Sequence, residues 1–411
     1  MKRFAIFCLI LCGCSGTMTA RLDTVRNDFN TNNFVSGAQN FASDKSVESQ
    51  DSLELLITGL ALFQNADFDL SDQAFETWRG RNYDIFGTSA LREGEIVLGG
   101  NMTVEYKPYM MDSLFVSYYQ IWDAIGAGRK NDVRVIINQS YNQQQKISHE
   151  YKKLISDRAK NTDIIAELDN ANGKWTPYND IMNPALMYLS GIWFLNTGDY
   201  NDAQTYLGRA SGMVGKSKNI EKDLTLANKQ QKPKNTVWVF IESGFAPSLH
   251  EQRITFPWII DHNLVMVPVA VATPKTWGNT AKPRHSDMIC NVNSMFMTEF
   301  KEYQINNTLR DLAASASRVA LQGALYSSKS NANGWLGLGA SIYSIITTNA
   351  EIRTWTTLPE YIYVARGTKS DLIDAHMGAK LESEIKKLGT GNYLIYVRET
   401  TTQPVIHVFK L

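Results

Sequence analysis

The sequence has no surplus of charge of either sign. Its Lys and Arg residues and its Asp and Glu residues both number 41, so the formal net charge is zero at pH 7. Binding to nucleic acid through its phosphates needs a basic surplus or a concentrated basic stripe. We find no such stripe in the sequence, and nucleic acid is therefore not expected as a partner.

Cysteine and histidine are scarce. The four cysteines are Cys8, Cys12, Cys14 and Cys290, which leaves Cys290 far from the other three. We expect Cys290 to be a buried structural thiol; the alternative is a catalytic thiol paired with His285. The six histidines include no pair at the i, i+4 spacing of a helical zinc site. We therefore expect no metal site and no cofactor.

The sequence also lacks an apolar run long enough to cross a membrane. A spanning helix needs about 20 apolar residues, and the runs Phe4–Leu11 and Trp335–Thr347 are both shorter. The second run predicts a core helix. The GWLGLG stretch at 334–339 lacks a third glycine at the spacing that a nucleotide-binding loop needs, and it lacks the Lys-Ser pair of such a loop. It predicts a tight turn.

The N-terminus does carry a targeting pattern. Two basic residues, the apolar run Phe4–Leu11 and small residues follow one another as in a secretory signal peptide. The end of the run resembles a bacterial lipobox, with Gly13 directly before Cys14. That resemblance implies a lipoprotein signal peptide at 1–13 and lipidation of Cys14. Because Ser15 follows Cys14, analogy with enteric sorting rules favours the periplasm-facing side of the outer membrane. The alternative is a signal peptide with incidental cysteines.

A repeated helical pattern is the strongest sign of internal organisation. The stretch NPALMYLSGIWFLNTGDYNDAQTYLGRA, at 183–210, contains two runs of helically spaced apolar residues. Gly198 suits the left-handed end of a first helix, and Asp199 suits the N-cap of a second. The pattern predicts an antiparallel helix pair of the tetratricopeptide (TPR) type.

The same spacing occurs earlier in the chain. The residues that share it are Gly59, Ser71, Phe75 and Trp78 in one copy and Gly191, Ala203, Leu207 and Ala210 in the other. A third, looser copy runs through Ser113–Ile125 and Asp132–Tyr151, and three pairs are about the minimum for a stable stack. We predict a TPR-like helical-repeat domain at 17–232, interrupted by long polar connections.

The apolar pattern changes its period after residue 235. Short alternating runs predict strands around 236–244, at Gln252–Ile260 and at Asn263–Val271, and a closing hairpin at 392–410. Helical spacing predicts a long helix at Glu299–Tyr326 and another at Asp371–Leu388. The sequence thus predicts an α+β domain at 235–411 with a mostly antiparallel sheet. The whole chain, at 411 residues, is expected to be multidomain.

Three stretches resemble a family of uncharacterised bacterial lipoproteins that have a TPR-like N-terminal half and an α+β C-terminal half. They are NPALMYLSGIWFLNTGDYNDA, VWVFIESGFAPSLHEQRITFP and EIRTWTTLPEYIYVAR. Such sequences are often encoded near an outer-membrane activator of peptidoglycan synthases. The resemblance implies work in the cell envelope and assigns no mechanism.

Two groups of residues are candidates for chemistry. Glu242 and Glu251, with Arg253 nearby, could form an acid/base pair if burial separated their pKa values. The alternative is a turn between strands with a surface ion pair. Arg353 and Trp355 could bind a ligand, with Arg353 meeting an anionic group and Trp355 stacking. The alternative is a loop locked against the sheet.

These patterns favour a lipid-anchored envelope protein over an enzyme. We expect an adaptor or scaffold whose stacked helix pairs offer a concave face to a protein or peptide partner. One alternative is an envelope hydrolase with Glu242 and Glu251 in a pocket beside the Glu299–Tyr326 helix. The other is a structural subunit of an envelope assembly.

Overall fold

A computed structural model describes residues 14–82, 105–158, 182–215, 217–260, 263–277, 282–305, 308 and 350–411. The signal peptide, the GWLGLG turn and the Trp335–Thr347 helix predicted from the sequence lie outside these residues. So do most of the two long connections predicted at about 80–106 and at 163–178, and residues 306–307 and 309–326 of the predicted Glu299–Tyr326 helix.

Helices come first along the chain and most of the strands follow. The helices are α1 (Cys14–Asn30), α2 (Phe34–Phe41), α3 (Ser52–Gln64), α4 (Phe68–Arg81), α5 (Met110–Gly126), α6 (Lys130–Arg158), α7 (Pro184–Thr197), α8 (Tyr200–Val214), α9 (Lys218–Asn228), α10 (292–305), α11 (Lys369–Asp374) and α12 (Ala379–Lys387). The strands are β1 (Val237–Ser243), β2 (Ser248–Ile260), β3 (Asn263–Lys275), β4 (Asp287–Asn291), β5 (Tyr361–Gly367), β6 (Tyr393–Arg398) and β7 (Val405–Lys410).

The helix pairs α3–α4 and α7–α8 form where the sequence predicts them. Asn183 accepts hydrogen bonds from the first turn of α7, and Gly198 ends that helix with a left-handed φ of 91°. Asp199 occupies the N-cap position of α8 as predicted, but its side chain makes no capping hydrogen bond. The carboxylate instead accepts a hydrogen bond of 2.9 Å from Arg134 of α6.

The shared glycine of the repeat lies at the closest approach of each pair. A Cβ atom on Gly59 would stand 2.6 Å from the Phe75 ring, and one on Gly191 would stand 2.6 Å from Leu207. Real Cβ atoms do not come this close to other heavy atoms. The equal spacing in the sequence therefore reflects the same helix–helix contact made twice.

The second helices of the three pairs, α4, α6 and α8, lie side by side. Side-chain contacts join the starts of neighbouring helices and also their later turns, so the three helices run parallel. The contacts are Asp72–Arg129 (2.7 Å) and Gln139–Arg79 (2.6 Å) between α4 and α6, and Arg134–Asp202 (3.1 Å) and Tyr141–Arg209 (3.0 Å) between α6 and α8. We call these three helices the outer row, and α3, α5 and α7 the inner row.

The C-terminal segment contributes a mixed sheet of five strands in the order β4-β5-β1-β6-β7. Only the β1–β6 pair is parallel among these neighbours. The predicted closing hairpin is β6–β7, and the described strands are mostly antiparallel as expected. β2 and β3 form a separate two-stranded sheet. The helix predicted at Asp371–Leu388 is divided into α11 and α12, with Gly378 at a φ of 113° between them.

The five-stranded sheet lies between two helical layers. Along β1, Trp238 and Phe240 belong to the core shared with the inner row. The alternate residues Val237, Val239 and Ile241 belong to a second core that includes residues of α11 and α12. This division follows from the two-residue period of a strand, which sends successive side chains to opposite faces.

The sheet covers the inner row of helices. Ring pairs join the two layers, at centroid distances of 4.8 Å for Phe63–Tyr396 and 5.3 Å for Trp122–Phe240. The concave face that the sequence led us to expect for a partner is thus packed against the protein's own strands. One buried cluster runs from Leu22 to Phe409. The domain limits 17–232 and 235–411 stay a prediction.

None of the described helices is both long enough and apolar enough to span a lipid bilayer.

Candidate functional site

Three buried carboxyl groups join the helical layer to the strands and α10. They belong to Asp223 of α9, Glu242 of β1 and Glu299 of α10, and each is fully buried. Burying such a group is costly unless protein donors replace its water. Their hydrogen-bond partners therefore decide whether they can serve as reactive groups.

Glu242, the first candidate acid/base residue, accepts bonds from both layers. Its carboxyl oxygens accept hydrogen bonds from Tyr396 (2.6 Å) and from Tyr119 of α5 (3.0 Å). Arg398 lies 3.4 Å away as its ion-pair partner, and Gln64 of α3 donates to the Tyr396 hydroxyl. Burial raises the pKa of Glu242, and the nearby Arg398 opposes that shift. This carboxyl group connects α3, α5, β1 and β6 and has no contact with solvent.

Asp223 makes a similar connection at the other end of the inner row. It accepts hydrogen bonds of 2.7 Å from the Tyr188 hydroxyl of α7, from the Trp238 indole of β1 and from Arg366 Nε of β5. Burial raises its pKa, and Arg366 opposes the shift. The connection links α7, α9, β1 and β5.

Glu299 holds the start of α5. It accepts hydrogen bonds from the backbone N–H groups of Met110 and Met111, the latter at 2.9 Å. Burial raises its pKa to about 8. On the same turn, Asp112 accepts a bond of 2.8 Å from Tyr106, and burial raises its pKa to about 7.

Glu251, the second candidate acid/base residue, lies in a different sheet from Glu242. It belongs to β2, accepts a bond of 3.1 Å from the backbone N–H of Ala350 and lies 3.6 Å from Arg253. No contact between Glu242 and Glu251 occurs in the described structure. The acid/base pair stays a prediction that this arrangement does not favour.

Arg353 and Trp355 are both buried. Arg353 donates to Glu351 through Nε (2.8 Å) and Nη2 (2.6 Å). The Trp355 ring lies 6.1 Å from the rings of both Phe75 and Tyr119. The surroundings of both side chains are protein groups, and a role in ligand binding stays a prediction.

Cys290 lies in an environment that disfavours a reactive thiolate. Its thiol is buried beside the Met295 sulfur at 3.4 Å, and burial raises its pKa. His285 is exposed instead. Cys14 is the first residue of α1, and its lipidation stays a prediction. Within the described ranges, no three His, Cys, Asp or Glu residues are grouped so that they could hold a metal ion.

A basic cleft of about 760 Å³ is the feature that sequence reasoning missed. Its cationic side chains are Lys218 and Lys222 of α9, Lys282 and Arg284 of the segment before β4, and Arg366 of β5. They are spread over some 150 residues of sequence, and the net charge of zero gives no sign that cations gather at one place. Only the i, i+4 spacing of the two α9 lysines could have suggested a common face.

The carboxylates at this cleft already have protein donors. Asp287 accepts a hydrogen bond of 2.8 Å from Ser217, the N-cap of α9. Asp371 accepts a bond of 2.8 Å from the Thr368 backbone N–H in the capping box of α11. Asp374 is the third carboxylate of the lining. Two of the three lining carboxylates therefore accept hydrogen bonds from helix caps and keep their negative charge.

Comparisons of this chain with family models, with curated proteins and with solved structures found no match.

Proposed function

We propose that this protein is a lipid-anchored component of the bacterial cell envelope that works by binding a protein or peptide, as an adaptor or scaffold in envelope or peptidoglycan biogenesis. Repetition of one helix–helix contact is the observation that carries the proposal. Gly59 with Phe75 and Gly191 with Leu207 occupy the same place in two pairs, and a third pair, α5–α6, lies between them. Stacked TPR-like pairs are scaffolds for binding partners.

The partner would bind on the outer row. The inner row packs on the sheet and is not available, whereas α4, α6 and α8 face away from that core. Two large apolar side chains, Leu70 of α4 and Val135 of α6, are each 53% exposed there. These two side chains are the positions on the outer row where an apolar group of a partner would pack.

A non-catalytic role is supported by what the buried carboxyl groups do. Asp223, Glu242 and Glu299 each accept hydrogen bonds that hold the layers together, and each is shielded from solvent. The hydrolase alternative with its site at Glu242 would need that carboxyl group to reach a substrate. The hydrolase and the structural subunit remain alternatives without a specific observation in their favour.

The anchor is tested by metabolic labelling with palmitate followed by membrane fractionation. We expect the wild-type chain to incorporate label and to sediment with the outer membrane. The variant Cys14→Ala should lose the label and be released from it. Unlabelled wild-type protein, or labelled Cys14→Ala protein, would contradict the anchor.

The partner surface is tested by a photo-crosslinking amino acid at position 70 or 135 in living cells. We expect one discrete cross-linked species from both positions. Position 383, exposed on α12 in the opposite helical layer, is the matched control and should give none. If all three positions give the same species or none, the outer row is not the docking surface.

A further inference from the structure

We propose that the basic cleft binds a ligand that carries two or more phosphate groups. The cleft is formed by α9, the segment 282–286, β5 and α11. It is separate from the outer row and from Cys14, so this proposal goes beyond the proposed adaptor function and does not depend on it.

Charge is unbalanced inside the cleft. Five cationic side chains and three carboxylates line it among the described residues, and one of the five, Arg366, pairs with the buried Asp223 behind it. Two of the lining carboxylates, Asp287 and Asp371, accept bonds from helix caps. Lys218, Lys222, Lys282 and Arg284 are exposed, and none of them lies within 4.0 Å of a described carboxylate oxygen. The concentration of cations on one concave surface attracts anions.

The two α9 lysines lie where positive charge is partly offset by protein groups. They stand four residues apart on one helix face, where like charges repel. Lys218 is also the first residue of α9, and a positive charge is unfavourable near the positive end of a helix. Asp287 accepts hydrogen bonds at this helix start, and hydrogen bonds from Thr368 together with the charge of Lys222 lower the pKa of Asp371. A bound anion between the two lysines would offset the remaining cost.

Arg366 supplies a fixed recognition group in the lining. Its Nε donates to the buried Asp223 at 2.7 Å, which holds the guanidinium plane in one orientation. Its two terminal nitrogens have no hydrogen-bond partner in the part of the chain that the structure describes, and the residue lines the cleft. A planar, pre-oriented guanidinium is suited to bind phosphate oxygens with two parallel N–H groups.

The size of the cleft indicates more than one phosphate. A volume of about 760 Å³ is within the range of small-molecule sites. A phosphate group places up to two charges on one centre, which matches closely spaced Lys and Arg side chains better than single carboxylates do. We therefore assign a diphosphate-type anion, free or as part of a lipid headgroup.

Titration calorimetry with inorganic pyrophosphate tests the assignment on the full mature chain carrying Cys14→Ala. We expect saturable binding that weakens at least tenfold in the Lys222→Gln/Arg284→Gln variant. Both side chains are exposed, so the fold should not change. The matched control is Lys130→Gln/Lys229→Gln, which removes two exposed lysines outside the cleft. It should bind as the parent does.

Vesicle flotation then separates the two sources of phosphate. If vesicles containing cardiolipin, whose headgroup carries two phosphate groups, bind the parent and pyrophosphate displaces it, a lipid headgroup is the ligand. If these vesicles do not bind but pyrophosphate does, the ligand is a soluble phosphate compound. Both results support phosphate recognition. Absence of pyrophosphate binding, equal weakening in the control, or equally tight binding of a glutamate hexapeptide would overturn it.

Discussion

At the scale of single residues, the interior is organised by carboxyl groups that bridge layers. Glu242 and Arg398 form the clearest pair, since Arg398 is 2% exposed along its side chain and Glu242 is fully buried. Removing one partner of a buried pair leaves an uncompensated charge or dipole, whereas removing both does not. The effects on the free energy of unfolding of removing Glu242 and of removing Arg398 should therefore not be additive.

We predict that Glu242→Gln destabilises the protein by about 3–5 kcal/mol and that Arg398→Met also destabilises it. The double variant should lose less than the sum of the two, because neither charge is then left alone. Urea unfolding of the four proteins measures this coupling. Additive losses would contradict the bridge, and loss of a hydrolytic activity in Glu242→Gln without loss of stability would favour the enzyme alternative.

The raised pKa values of Glu299 and Asp112 predict an unusual pH dependence. Burial raises these pKa values to about 8 and about 7, above the ordinary 4.5 and 3.8. The folded state then holds protons that the unfolded state has released. The contribution of these two groups to the free energy of unfolding is therefore greatest below about pH 4, and it falls as the pH rises from there to about 8.

We expect each group to contribute a slope of at most about 1.4 kcal/mol per pH unit within its window. The Glu299→Gln variant should reduce the fall in unfolding free energy between pH 5 and pH 8. The control Glu221→Gln changes an exposed residue of α9 and should keep the wild-type slope. Chemical denaturation at several pH values measures the unfolding free energy of the wild type and of both variants. An unchanged slope in Glu299→Gln would contradict the prediction.

At the scale of elements, helix pairs could be read from the sequence because their signals are local. Gly198 ends α7 as predicted, and Gly59 and Gly191 take equivalent places. Asp199 takes the predicted N-cap position, but the partner of its side chain could not be predicted, because Arg134 is 65 residues away in the chain. Local spacing determines where a helix begins and ends, and distant charges determine what its exposed side chains bind.

Close packing at the repeated glycine gives a prediction for the α3–α4 pair. Gly59→Ala would place a Cβ atom 2.6 Å from the Phe75 ring, and we expect a loss of about 1–3 kcal/mol from overpacking. The control is Gly208→Ala in α8, where a Cβ atom would meet nothing within 4 Å. It should gain up to about 1 kcal/mol from helix propensity. The urea unfolding midpoints of the two variants and the wild type measure these effects. A Gly59→Ala variant with an unchanged midpoint would contradict the close approach.

At the scale of the whole molecule, the sheet fills the face that stacked helix pairs would otherwise present. Trp238 and Phe240 of β1 lie in one buried cluster with residues of α3, α5 and α7. Separating the chain near residue 233 would expose this surface on both sides. Exposed apolar area of that extent is not compatible with a stable soluble fold.

We therefore expect residues 14–232 and 235–411 to fold poorly when each is produced alone. Far-ultraviolet circular dichroism should show no cooperative melting for either fragment, and a hydrophobic dye should bind both. Producing the two fragments together should restore one cooperative transition. A fragment of residues 235–411 that melts cooperatively on its own would contradict a shared core.

The sequence alone determined the helix pairs and the strand-rich second half. Each of these depends on neighbouring residues, through a period of about 3.6 or of 2. The tertiary structure alone decided that the inner row is covered, that Glu242 and Glu251 lie in separate sheets, and that five distant cations line one cleft. Those features arise from contacts between residues far apart in the chain, and such contacts leave no local pattern.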